Sequence, residues 1–281
     1  MTLNIANRKN AQLYRAMRRG RHYLKRAYQR LIPSAETRPA FILGSGRSGT
    51  DIVSHCLSRA WDVELLNEDN PKAFDNWRLK GLDVVGRAVD SSGARLVMFK
   101  PIVETLRANE FLARFPSGFV VFVVRNPYDA INSMARFFGE SHVRAVKNWV
   151  ETDFKRQPQA PAELRAFIAE HCRANLSVED ASGLYWLLYN SAYFFLDLKS
   201  DSRVRLVRYE HLIQEPEQAL QEVCGFLDLK WSTSMTKDVY EGSVGKNRKP
   251  DLSPEIEKQC LDIWHRLTGE SLESSVPSST L

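Results

Sequence analysis

One stretch constrains this chain more than any other: Ala40-Phe41-Ile42-Leu43-Gly44-Ser45-Gly46-Arg47-Ser48-Gly49-Thr50-Asp51. Ala40 to Leu43 is apolar without polar alternation and ends on glycine, the pattern of a buried strand. Gly44, Gly46 and Gly49 let the backbone turn tightly and bring its N–H groups close to a ligand. Ile52, Val53, Cys56 and Leu57 then recur at helical spacing, so a helix begins near Gly49. Strand, loop and helix start converge on one anion site, where unpaired N–H groups meet the positive end of the helix dipole. Phosphate or sulfate is the expected guest.

The triphosphate-binding loop G-x-x-x-x-G-K-[ST] is matched only in its outer glycines, Gly44 and Gly49. Thr50 stands where that motif needs lysine, and Asp51 where it needs the hydroxyl that holds magnesium. A carboxylate there repels a triphosphate, and the metal loses its hydroxyl ligand. The cation lies inside the loop instead, at Arg47. This argues against ordinary magnesium–ATP chemistry.

A second segment, Gly118 to Ser133, repeats the theme. Phe119 to Val124 is continuously apolar, as in a central parallel strand buried on both faces. Arg125 falls at its carboxyl end, where open α/β sheets bind ligands. Asn126 and Pro127 read as the cap and first turn of the next helix, and Ser133 comes eight residues after the arginine.

Arg47-Ser48-Gly49-Thr50 resembles the 5′-phosphosulfate loop of sulfotransferases, [KR]-S-G-T-[TS]. Arg125-Asn126-Pro127 with Ser133 is similar to that family's 3′-phosphate motif. The resemblance spans roughly residues 39–268. It implies a three-layer α/β P-loop-type domain with a central, mainly parallel sheet. It implies 3′-phosphoadenosine 5′-phosphosulfate (PAPS) as co-substrate, with no metal. Gly46, Arg47, Ser48, Gly49, Thr50 and Asp51 would hold the phosphosulfate, through backbone N–H groups and the Thr50 hydroxyl. Arg47 would stabilise the bridging oxygen as it departs, and Arg125 and Ser133 would clamp the 3′-phosphate.

The looser matches leave more open. Asp62 to Leu66 alternates like a second strand and leads to Glu68, the favoured general base, because several carbohydrate sulfotransferases use a glutamate from this region. An acidic helix-capping turn is the competing reading. Arg95 to Phe99 reads as a third strand, but Lys100-Pro101-Ile102 stands where small-molecule sulfotransferases carry K-T-H, so the histidine base is missing. Lys100 is a candidate for contact with the sulfuryl group, and Glu104 is the reserve base. Val204 to Tyr209 resembles the family segment whose tyrosine lies near the nucleotide, which implicates Tyr209. The basic loop Gly242 to Pro250 resembles the one that closes over the 3′-phosphate, with Lys246, Arg248 or Lys249 making the contact. The missing histidine and the glutamate at the second strand point to a carbohydrate or glycolipid acceptor, sulfated on a hydroxyl or amine. A nucleotide-dependent kinase on the same scaffold and a non-catalytic nucleotide-binding protein are the alternatives.

The 281 residues, 43% hydrophobic, suffice for one substantial core. Cys56, Cys172, Cys224 and Cys260 are scattered, which fits a reduced cytosolic protein. No apolar run reaches the roughly 18 residues of a membrane span, so the resemblance is to soluble members. Of the net +5 charge, residues 1–38 hold ten Lys or Arg against one acid. Leu13, Met17, Leu24, Tyr28 and Leu31 form one stripe of a basic helical arm. That arm either docks on protein, lies on anionic lipid through residues 8–32, or acts as a transit peptide or nucleic-acid arm. The expected organisation is an arm over 1–38, the α/β domain over 39–269 and a polar tail over 270–281. The oligomeric state is open. The expected location is the cytoplasm, with membrane association and no nucleic acid.

Overall fold

The structure is a computed structural model that describes residues 20, 23–237, 239, 249–270 and 272. Most of the basic arm, the loop residues Lys246 and Arg248, and most of the polar tail lie outside the described residues.

Helical residues 23–31 (α1) precede β1 (Arg38–Gly44), α2 (Thr50–Leu57) and β2 (Val63–Leu66). A short hairpin, β3 (Phe74–Asp75) and β4 (Arg78–Leu79), then leads to α3 (Leu82–Asp90) and β5 (Leu96–Phe99). A 3-10 turn (Ile102–Arg107) runs into α4 (Ala108–Arg114). Then come β6 (Phe119–Val124), α5 (Pro127–Phe138), α6 (Glu140–Glu151), α7 (Ala162–His171) and α8 (Val178–Phe195). The chain closes with β7 (Val204–Arg208), α9 (Tyr209–Gln214), α10 (Pro216–Phe226) and α11 (Pro254–Thr268).

Five strands form one sheet in the order β2-β5-β1-β6-β7, every neighbouring pair parallel. The continuous apolar runs are explained by cover on both faces. Ala40, Ile42, Met98, Val121 and Val123 turn to a layer containing Cys56 and Leu57 of α2 and Leu220 and Val223 of α10. Phe41, Leu43, Val97, Phe99, Val120 and Phe122 turn to the layer of α4, α5, α8 and α11. Phe41 stacks on Phe99 and Phe111 with ring centroids 5.5 and 4.6 Å apart. The apolar α8 is the buried spine of that layer, as its sequence suggests, and Trp186 is fully buried within it.

Because the strands all run the same way, the residues that follow them emerge along one edge: the loop after Gly44, then Glu68, Lys100, Arg125 and Tyr209. The fold therefore gathers side chains from across the sequence at the carboxyl ends of the strands.

Between α6 and α7, Gln157-Pro158-Gln159-Ala160-Pro161 forms a turn packed onto the domain, with Gln157 and Ala160 buried. The arm differs from its hydrophobic pattern. Gln29 is the buried residue of α1, its amide donating to the carbonyls of Trp61 (2.9 Å) and Val63 (3.3 Å). Leu24 and Leu31 face outward, 64% and 81% exposed. Backbone carbonyls between the end of α2 and the start of β2 need donors, and Gln29 and Lys25 (2.5 Å to the Ser58 carbonyl) supply them. No helix among the described residues is long and apolar enough to cross a membrane.

Candidate active site

The loop after β1 is built on two left-handed glycines. Gly44 (φ 141°) passes so close to β6 that a Cβ would strike the Val123 carbonyl. Gly49 (φ 94°) caps α2 directly against the Tyr209 ring. Between them Arg47 also takes positive φ, 63°. The floor of the loop is pinned from below: the Thr105 hydroxyl lies 3.1 Å from the Gly44 amide and 2.9 Å from its carbonyl. Ser45 and Ser48 share a 2.6 Å hydroxyl contact, and Asn190 of α8 donates to Ser45 at 3.2 Å. The Ser48 hydroxyl thus faces the interior, which leaves the loop to offer backbone amides at the α2 N-terminus, the arrangement that suits an anion.

The second motif converges on the same spot. Asn126 caps α5, accepting from the Tyr128 and Asp129 amides at 2.8 and 3.4 Å, with Pro127 in the first turn. This places Ser133 one and a half turns into α5, where its hydroxyl accepts from Arg47 Nε at 3.2 Å. Arg125 Nη1 donates to the Arg47 carbonyl at 3.4 Å, and its guanidinium lies 4.5 Å from the Tyr209 ring centroid. The peptide is locked behind it: Trp186 Nε1 donates to the Arg125 carbonyl at 3.2 Å, and the Asn126 amide donates to buried Glu210 at 2.9 Å. The Arg47 guanidinium itself rests on Phe137, 4.7 Å from the centroid. Arg47, Arg125, Ser133, Gly49 and Tyr209 therefore form one contiguous cluster. Tyr209 fills the space between Gly49 and Arg125.

A second cluster lies alongside. Lys100 Nζ is 2.6 Å from Asp51 Oδ1 in the first turn of α2 and 2.9 Å from Glu68 Oε2. Burial raises the Glu68 carboxyl above its ordinary range even though Lys100 pulls it down. For Lys100, burial is the largest single influence and acts against its charge. Glu68 and Asp51 together outweigh it and raise the ammonium above its ordinary value. Glu104, the reserve base, is committed elsewhere, held by Arg78 at 3.0 Å and Arg107 at 3.3 Å.

Away from the loop runs an aromatic wall. Phe138 supports Gly46 and stacks on His142 at 4.5 Å; His142 stacks on Tyr185 at 4.3 Å, and Tyr185 on Tyr189 at 4.4 Å. Burial pushes His142 down to about 4 and raises both tyrosines. The wall is therefore neutral at pH 7.

Sequence reasoning missed Arg78, Thr105, Asn190, Glu210 and this wall. The hairpin carrying Arg78 turns on Asn76-Trp77, a pair without the glycine that marks most two-residue turns, so its signal was weak. Thr105, Asn190 and Glu210 act through contacts 61 to 145 residues apart and left no local trace. Of the basic-loop candidates, Lys249 is described, and it pairs with Glu257 at 2.7 Å beside the Tyr128 hydroxyl.

The sulfotransferase domain family matches residues 37–251. No curated protein matches the sequence. Solved structures similar to the chain include a sulfotransferase domain from the curacin biosynthetic pathway, 17% identical, covering 75% of this chain and 82% of that one, TM-score 0.47. A sulfotransferase from Alicyclobacillus acidocaldarius is 19% identical over 84% of this chain and 98% of its own, TM-score 0.46. A mouse sulfotransferase complexed with PAP is 12% identical over 91% and 93%, TM-score 0.41. With the family match extending from β1 past the last sheet strand, over most of its length, this chain belongs to the sulfotransferase family.

Proposed function

We propose that this sulfotransferase takes the sulfuryl group from PAPS and transfers it to a hydroxyl or amine of a carbohydrate or glycolipid. The observation that carries the reading is the convergence of Arg47, Arg125 and Ser133 beside the α2 N-terminus. A donor that carries a 3′-phosphate and a 5′-phosphosulfate on one ribose needs two adjacent anion cradles, and a triphosphate does not. The residues fit the donor: the glycine turns keep side chains out of the cradle, and the guanidiniums of Arg47 and Arg125 supply positive charge.

In this mechanism the acceptor oxygen or nitrogen bonds to sulfur as sulfur parts from the bridging oxygen. The charge left on the phosphate is stabilised by Arg47 and by the amides from Gly46 to Asp51, with the Thr50 hydroxyl, a preorganised role that contributes several kcal/mol. Glu68 takes the acceptor proton, and its upward shift brings it nearer the neutral range that suits a general base. Lys100 meets the sulfuryl oxygens. Arg125 and Ser133 hold the 3′-phosphate, Tyr209 backs the nucleotide site, and one of Lys246, Arg248 and Lys249 closes over it. The aromatic wall from Phe138 to Tyr189, its rings stacked face to face, braces the loop at Gly46. Residues 39–269 form the catalytic unit in this reading. The arm is a peripheral contact of a cytoplasmic enzyme with anionic membrane, supported by exposed Leu24, Leu31 and Ile32 beside Arg26 and Arg30.

Labelled-sulfate transfer from PAPS onto panels of glycans, glycolipids and simple phenols tests the assignment. Label on glycan or glycolipid is the expected result. Label on phenols alone overturns the acceptor class. Cosedimentation with vesicles containing phosphatidylserine, and its loss in an L24S/L31S variant, tests the membrane contact.

A further inference from the structure

Asp51 occupies the loop position at which the family pattern has a second hydroxyl. Its carboxylate is 73% exposed, yet it bonds at 2.6 Å to a lysine whose side chain is 7% exposed. The same ammonium bonds to Glu68, only 11% exposed, at 2.9 Å. Lys100 follows β5 directly, and β5 pairs with both β1 and β2, so its base sits between the anion loop and the Glu68 turn. Two carboxylates thus share one cation at the rim of a cradle built for an anion. Other charges nearby are already engaged: Glu104 with Arg78 and Arg107, and Arg125 with Asp129 at 3.7 Å.

An incoming sulfate brings a third anionic group to the same ammonium. Lysine is a compact charge on a four-carbon stem and can redirect its donors by rotation alone. A bond to an exposed carboxylate is the easier of its two to give up, because water replaces it at the Asp51 side. The buried Glu68 has no such replacement.

We infer that Asp51 is a positioning residue that latches Lys100 in the resting enzyme, and that the donor's sulfate displaces Asp51 and takes its place on the Lys100 ammonium. The inference rests on the donor assignment proposed above. It makes donor arrival the event that turns Lys100 from Asp51 to the sulfuryl oxygens. Asp51 touches neither reacting atom; it acts through Lys100.

Calorimetric binding of PAPS and of adenosine 3′,5′-bisphosphate (PAP), which lacks the sulfate, tests this on the wild type, D51N, K100Q and D51N/K100Q. Thermal melts establish that each variant is folded, and D51T serves as a second unlatching variant. The latch predicts that D51N tightens PAPS by about fivefold, the scale of one partly exposed ion pair, with a smaller change for PAP. In the K100Q background that extra gain for PAPS disappears. Equal gains for PAPS and PAP reduce Asp51 to simple repulsion and overturn the latch, as does a PAPS gain that survives without Lys100, or weakened PAPS binding in D51N. If neither nucleotide binds the wild type, the donor assignment itself fails and the latch goes with it. Normal wild-type binding without a D51N effect sinks the latch alone.

Discussion

Acidification should destabilise this fold through one residue in the wall of the site. His142 is 4% exposed, sandwiched between Phe138 and Tyr185, with Nδ1 3.2 Å from the Ser182 hydroxyl. Burial lowers it from 6.5 to about 4. The unfolded chain therefore binds a proton on His142 between about pH 6.5 and 4 that the folded chain refuses, so stability rises with pH across that window. The stabilisation is fully present above the unfolded value and is lost as pH falls towards the folded one. The gap corresponds to roughly 3 kcal/mol, of which about 2 kcal/mol is already lost near pH 5. Phenylalanine at this position keeps the stack and cannot titrate. It leaves the Ser182 hydroxyl without this contact, a cost of about 1 kcal/mol that is the same at every pH and so cancels from the comparison. Glu68 and Glu210, whose raised carboxyls act in the opposite direction, are shared by both proteins and cancel as well. Urea unfolding of wild type and H142F at pH 7 and pH 5 reads the difference. Wild type should lose about 2 kcal/mol more than H142F between the two. Parallel losses would refute the argument, because they would mean that the buried ring takes its proton without penalty.

Other outcomes follow from the same geometry. Arg125→Met should weaken PAP binding roughly 10- to 100-fold, the value of a charge-assisted phosphate contact. Adenosine 5′-phosphosulfate, which has no 3′-phosphate, should be little affected; equal loss for both would remove Arg125 from the 3′ cradle. Glu68→Gln should lower kcat about 10²- to 10⁴-fold with PAP affinity nearly unchanged, whereas retained turnover would exclude it as the base. The acid limb of wild-type kcat/KM should fall above the ordinary carboxylate range, and K100Q should move it higher still, since Lys100 holds Glu68 down. Gly49→Ala must place a Cβ at φ 94° against the Tyr209 ring and should cost about 1–3 kcal/mol in urea unfolding; a neutral effect would show that Tyr209 does not brace the loop.

The parts of this molecule legible in its sequence are those set by local chemistry. Ala40 to Leu43 and Phe119 to Val124 could only be strands covered on both faces, and Asn126-Pro127 could only start a helix. Once those strands were parallel, Gly44, Lys100 and Arg125 had to share an edge. What stayed hidden was pairing across distance. Nothing near Lys100 in sequence says that it will bridge Asp51 and Glu68, 49 and 32 residues away. The hairpin at Asn76-Trp77 uses two non-glycine residues at positive φ (46° and 66°), which weakens the usual turn signature. In the described part of the arm Gln29 and Lys25 face the domain and satisfy backbone carbonyls, a demand that no hydrophobic stripe records.

The central claim is that two cradles grip a doubly phosphorylated adenosine without a divalent ion. Thermal denaturation with PAP and with ATP, each in EDTA and in magnesium, measures it most directly. PAP at a hundredfold excess over its dissociation constant should add about 2.7 kcal/mol of stability, equally in EDTA and magnesium, with little effect from ATP. Stabilisation by ATP that requires magnesium, with none from PAP, would contradict the account.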